Sequence, residues 1–468
     1  MDVSSPAWTS PSLDGTLYGE PLVSNGRVFV ATEDDTVYAL SGANGSVVWA
    51  SHLASPVPSA TLPCGDIAPT VGITGTPVLD VARGEVFVVA AEVVNGSPAH
   101  HLIGLSTATG KVELDQNVDP AGSTPVALLQ RTGLTLGAGH VVFGYGGNYG
   151  DCSTYHGWVV SVPEAGGTPA TYTVDSAAGE SQGAIWMGGA APTVDASGNI
   201  WVTTGNGSVT STNHAYDDSD AVLELSPSLA LEQYFAPTSW ASDNTRDLDL
   251  STGVGLLADG QAIAASKSGT AFLLNRSSLG GIGGQQAELE GTCSTVIEGG
   301  LAVAGSIVYL PCLNGPTAVQ VSDSPVGLRR LWSSSVGGGP PIVAGGLVWT
   351  IGSDGVLYGL NPTSGTVTEQ ATIGAPANHF PTPAVGAGLL LAPSSNHVVA
   401  FSASTAAPLA STTTTTTAQR EATTSSAPTK QPARTNPWII AGAILGGIAV
   451  LAATTWLLRR RRSSDGDA

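Results

Sequence analysis

GEPLVSNGRVFVATEDDTVYALSGANGSVVW, residues 19–49, decides the fold. Four short runs of Val, Leu, Phe, Tyr and Trp are separated by Asn25-Gly26, Asp34-Asp35 and Asn44-Gly45. Asn, Asp and Gly tolerate the positive φ that a tight hairpin turn demands, and β-branched and aromatic residues suit a pleated sheet. The stretch predicts four consecutive antiparallel strands, the unit from which a propeller blade is made.

The unit returns about every 40 to 50 residues, the period expected of a propeller. Further copies run over 73–115, 136–174, 188–235, 251–275, 297–332 and 337–370. An eighth, 379–403, has only three strands before the repeats stop. Its missing outer strand is expected at the other end of the chain, in PAWTSP (6–11), where Trp8 stands in the place of Trp49 and Trp332. Pairing it into the last blade closes the ring and removes an open sheet edge. The expected fold is therefore all-β, one eight-bladed propeller over 1–404 with no separate catalytic module.

Composition agrees with that fold and excludes some functions. Charged residues are 11% of the chain, against roughly 25% in an ordinary domain. The 60 Gly and 30 Pro favour turns over long helices. Lys and Arg number 16 against 36 Asp and Glu, a net charge of −20. Arg459–Arg462 form one terminal block, so the propeller is more acidic still. Such a surface repels phosphate backbones, and nucleic acid is not an expected partner.

Beyond the repeats, residues 405–436 are rich in Ser, Thr, Pro and Ala and bury too little apolar surface to fold; a disordered stalk is expected. Residues 437–458 carry no charge and are long enough to cross a bilayer. Trp438 and Trp456 lie near the two ends of this span, and the Arg block then marks its cytoplasmic side. The chain reads as a single-pass, monomeric membrane protein with its propeller outside the cell and a short basic tail, 459–468, within. MDVSSPAWTS lacks the basic and apolar regions of an export signal, so a missing or misassigned start is expected. A cell-wall sorting signal would need an LPxTG-like motif, and none precedes the span.

Cys64, Cys152, Cys293 and Cys312 show no CxxC spacing, which argues against zinc and for two disulfides in an oxidising compartment. Cys293 and Cys312 fall in one repeat, on strands expected to be neighbours, and pair with each other. Cys64 and Cys152 then pair by elimination, over one face of the ring.

The succession strand, turn, strand, YAL (38–40), then the TGxVxW-like NGSVVW (44–49) resembles the quinoprotein, or PQQ-type, β-propeller family. That family includes quinoprotein alcohol dehydrogenases and the non-catalytic propeller of the outer-membrane assembly lipoprotein. The resemblance spans about residues 6–404. A finer match runs through AIWMGGAAPTVDASGNIWVTTGN (184–206), SDAVLELSP (219–227), DLDL (247–250) and AASKSGTAFLLNR (264–276). These stretches are similar, in order, to the cofactor-facing blades of the dehydrogenases. There a Trp floors the quinone, an Asn after Thr-Gly ligates calcium, an Asp is the base, and a Lys or Arg contacts the quinone oxygens. The resemblance assigns these roles to Trp186, Asn206, Asp247 or Asp249, and Lys267. His156 stands where the family turns toward its channel, as a ligand contact or as a hydrogen-bonded core histidine.

The departures weigh as much. The family's calcium-binding Glu of the third blade is matched by NYGDCSTYHGW (148–158), which leaves Asp151 as a shorter, displaced metal candidate. The roof of two adjacent bonded cysteines is missing, and no CxxCH haem motif offers electrons an exit. HAYDDSD (214–220) is expected to be a solvated acidic loop, and His100 and His101 to point to opposite faces of a strand at the surface. The favoured expectation is a cell-surface scaffold that binds a small-molecule or protein ligand without a cofactor. The alternative is a dehydrogenase of alcohols or sugars that uses PQQ and calcium.

Overall fold

A computed structural model describes residues 1–374 and 380–402, and in them the chain forms an eight-bladed β-propeller. Blade 1 comprises strands Leu22–Ser24, Arg27–Ala31, Thr36–Ser41 and Val47–His52, paired in that order and antiparallel. Six further sheets of the same up-and-down order follow, and blade 4 adds Gly281–Ile282 as a parallel fifth strand. Arg27–Ala31 is buried almost throughout because each blade packs face to face between two neighbours, whereas the outer strand Val47–His52 alternates toward solvent. A register shift recurs where the third strand meets the fourth, at Ala39/Leu40, Gly104/Leu105, Glu224/Leu225 and Gly359/Leu360. The bulge sits at the end of each YAL-type run and twists the outer strand away from the axis.

Ring closure follows the expectation. Trp8–Thr9 pairs antiparallel with His397–Ser402, in register Trp8 to Ala400, and becomes the outer strand of blade 8. Trp8 then packs with Leu13, Leu17, Val28 and Leu391, so one apolar cluster joins the two ends of the propeller.

The tryptophans that close the units act between blades. Trp8, Trp49 and Trp332 lie against Gly45, Gly110 and Gly365 of the next blade, where a Cβ would overlap the indole. Each indole donates to a carbonyl three residues before that glycine: Gly42 at 2.9 Å, Thr107 at 3.1 Å and Pro362 at 2.9 Å. All three glycines have φ near +70°, which a residue with a Cβ adopts only under strain. In blade 2, Leu114 takes the tryptophan's place, over Gly166.

Both expected disulfides form, Cys64–Cys152 and Cys293–Cys312. One detail differs: Cys293 and Cys312 do not sit on adjacent strands. Cys293 lies in the connection between blades 5 and 6, and Cys312 follows Ile307–Leu310 in the turn of blade 6. Antiparallel alternation brings those two kinds of loop to the same face of the ring.

Two surface expectations are corrected. His100 and His101 do point to opposite faces, but His100 is 2% exposed and bonds Asp119 at 2.8 Å, while His101 meets Asp115 and Glu92. The two middle strands of blade 2 run to ten residues each, and His100 packs against the Tyr145 ring of blade 3, centroids 5.1 Å apart. The acidic run is not a solvated loop either. Asp217 and Asp220 are buried, and Asp218 accepts from the Tyr172 hydroxyl at 2.6 Å; the segment packs on helix Trp240–Arg246, with Tyr216 against Trp240 and Ser219 accepting from Asn244 Nδ2.

The expected stalk (405–436), membrane span (437–458) and tail (459–468) lie outside the described residues. Among the described residues no helix is long and apolar enough to cross a membrane.

Candidate functional site

In a four-stranded up-and-down blade, the turn after the second strand and the connection to the next blade fall on one face. Asp151, Asn206 and Lys267 are in such turns, of blades 3, 4 and 5. Trp186, Asp247, Asp249 and Glu298 are in the connections from blades 3, 4, 4 and 5. The topology thus gathers residues scattered over about 150 positions around one cavity of about 1080 Å³ on the ring axis.

Lys267 is the centre of the site. Its Nζ lies 2.5 Å from Asp249 Oδ2, 3.0 Å from Asp247 Oδ1 and 3.7 Å from Glu298 Oε1. The same ammonium stands 5.7 Å from the Trp186 ring centroid. Burial disfavours the charge, but Asp249, Asp247 and Glu298 outweigh it and raise the lysine pKa. Asp249, 1% exposed, also accepts from the Asn206 backbone N–H at 2.7 Å. Burial raises its pKa and Lys267 opposes the rise. Asp247 caps helix Trp240–Arg246 in the left-handed region, φ 56°, which turns its carboxylate back to Asn206 Nδ2 at 3.2 Å.

Trp186 is held by a bond from its Nε1 to the Gly147 carbonyl, 2.9 Å. Asp151 lines the cavity but accepts from the Tyr155 hydroxyl at 2.6 Å, and burial raises its pKa. His156 is not among the lining residues. Its Nδ1 lies 2.7 Å from Asp175 Oδ1.

Sequence reasoning missed Glu298, which stands beside Lys267, and Arg131. Arg131 is 7% exposed, with its guanidinium 5.7 Å from the Tyr18 ring and 5.6 Å from the Phe380 ring. Burial lowers its pKa, and Glu33, Tyr18, Asp66 and Glu298 act against that. A lone charge inside the apolar run LLQRTGL (128–134), and a glutamate in VIEGG (296–300), were the available signals.

Whether a calcium-bound quinone fits can be tested on the donors. Asp249 commits one oxygen to the Asn206 N–H and the other to Lys267. Asp247 Oδ1 is bonded to Lys267 and to Asn206 Nδ2, and Asp151 Oδ1 to Tyr155. Asn206 Oδ1 and Asp249 Oδ2 are buried without a hydrogen-bond partner, and the second of them is ion-paired with Lys267. Calcium takes six to eight oxygens, and here an ammonium already holds the centre of the carboxylates. PQQ itself is a tricarboxylate. The wall sets five carboxylates, Asp66, Asp151, Asp247, Asp249 and Glu298, against the two cations Arg131 and Lys267. As arranged, the residues do not fit that pair.

A family model described as outer membrane protein assembly factor BamB matches residues 4–278. BamB from Moraxella catarrhalis is similar in structure, with a TM-score of 0.57 at 15% identity over 85% of this chain and 99% of that one. Quinohemoprotein alcohol dehydrogenase from Comamonas testosteroni gives 0.62 at 16% identity, covering 85% of this chain and 76% of the other. The corresponding enzyme ADHIIG from Pseudomonas putida HK5 gives 0.64 at 13%, over 86% and 76%. At these identities the likeness is one of fold. No curated protein matches the chain in sequence.

Proposed function

The chain belongs to the family of the outer membrane protein assembly factor BamB, and from that premise we propose that it is a binding scaffold on the outer side of a cell membrane. In this reading, residues 437–458 anchor the chain in the membrane, and the axial cavity is where a ligand docks. The observation that carries the reading is the site's charge: an open, acidic cavity whose lysine already neutralises the would-be base Asp249. The two disulfides accord with an oxidising, extracytoplasmic setting.

A second reading, a PQQ-dependent dehydrogenase of alcohols or sugars, is favoured by one observation. Trp186, Asn206, Asp249 and Lys267 do converge on one cavity, in the types and order the dehydrogenases use. The purified full-length chain incubated with PQQ and calcium separates the two. We expect neither a quinone absorbance change nor reduction of an artificial dye with alcohols or aldoses. Turnover that disappears in Asp249→Asn and in Lys267→Ala would establish the dehydrogenase instead.

A further inference from the structure

We propose that the axial cavity binds a small organic polycation, a chain bearing two or more ammonium groups. The inference rests on the scaffold reading above and names its ligand class.

Charge points there first. Both lining cations are committed, Lys267 to Asp249 and Asp247, and Arg131 to its aromatic and acidic surroundings. The carboxylates still exceed them, so an incoming ligand lowers the energy of the wall only if it brings positive charge. A neutral alcohol leaves the excess in place, and an anion adds to it.

Hydrogen bonding points the same way. Asn206 is 9% exposed, lines the cavity, and its Oδ1 is buried without a partner. An unmet buried acceptor costs free energy until a donor arrives. An ammonium carries three donors and no acceptor, so it leaves no group of its own unmet beside the carboxylates, and it meets Asn206 Oδ1 once that side chain turns toward the cavity.

The aromatic walls supply a third argument. The Trp186 face already has one ammonium, that of Lys267, standing over it at 5.7 Å. Tyr149 lines the same cavity at its rim with 69% of its surface exposed, an open ring to receive a second cation. At about 1080 Å³ the cavity is too large for one ammonium or metal ion and suits a flexible chain.

The test is calorimetric titration of the full-length chain in mild detergent at low salt. Spermidine probes a free polyamine, a short oligolysine probes the same chemistry on a peptide, and glycerol is the neutral control. Saturable binding of spermidine or oligolysine, and none of glycerol, is expected. Affinity should fall about tenfold in Asp247→Asn, one lost charge pair, and fall again in Tyr149→Ala and with added salt. Asp247 is 68% exposed and asparagine tolerates its left-handed backbone, so that variant keeps the fold. No binding of either polycation, or equal affinity in Asp247→Asn, overturns the proposal while leaving a scaffold for some other ligand. Turnover with PQQ and calcium removes the scaffold reading and this inference together.

Discussion

Lys267 and Asp249 form a contact in which neither side chain can be lost alone. Asp249 is 1% exposed, and without the ammonium its carboxylate keeps only the Asn206 N–H. Lys267→Ala is expected to destabilise the fold by about 3–5 kcal/mol at pH 7, the cost of stranding a buried charge. Adding Asp249→Asn should recover most of it, read from urea unfolding of the single and double variants. The sequence exposed this pair because both lie in motifs with fixed neighbours, DLDL (247–250) and ASKSG (265–269). It did not expose Arg131 or Glu298. The lone charges in LLQRTGL (128–134) and VIEGG (296–300) name no partner, and they reach the cavity only because the ring curves back on itself.

At the scale of the element, the unit that carries stability is the contact between one blade's outer strand and the next blade's turn. Gly110→Ala should cost about 1–3 kcal/mol, since the new methyl meets the Trp49 indole at a φ of +72°. The same logic applies to closure, where the strand comes from the opposite chain end. Deleting residues 1–12 should empty the Trp8 site, worth about 3–5 kcal/mol for the side chain alone, and leave His397–Ser402 as an open edge. An unchanged thermal midpoint after that deletion would contradict the closure. The Cys293–Cys312 bridge, with its separation of 19 residues, should contribute about 3 kcal/mol, lost in the double serine variant. Its pairing was legible from repeat position, but its place in two loops was not, because the sequence does not mark where a strand stops.

For the whole molecule, the buried carboxylates set the response to pH. Asp35 is fully buried with neither oxygen hydrogen-bonded, and burial, then Glu33 and Glu92, push its pKa up to about 9. Burial also raises Glu33 to about 7. In the unfolded chain both groups ionise near their ordinary values, about 4. Between pH 4 and 9 the folded state therefore holds more protons than the unfolded one, so stability falls as pH rises. The propeller should melt at a higher temperature at pH 5 than at pH 8. Asp35→Asn, at a φ of 54° that asparagine accepts, should flatten that slope and raise the midpoint at pH 8. An equal slope in wild type and variant would assign the effect to other groups.

The amino-acid sequence by itself determined the eight blades, their strand order, the join of the two propeller ends and the cysteine pairing. All of these depend on local turn chemistry and on a repeat that recurs at a fixed period, which a linear reading can count. It also brought Trp186, Asn206, Asp249 and Lys267 forward as one set, through a resemblance carried by short motifs. Only the tertiary structure decided what that set is. The distance from Lys267 to Asp249, the diversion of Asp151 to Tyr155 and of His156 to Asp175, and the arrival of Arg131 and Glu298 are products of ring curvature. Charge balance in a cavity depends on which side chains meet across the axis, and residues far apart in the chain meet there only when all eight blades have closed.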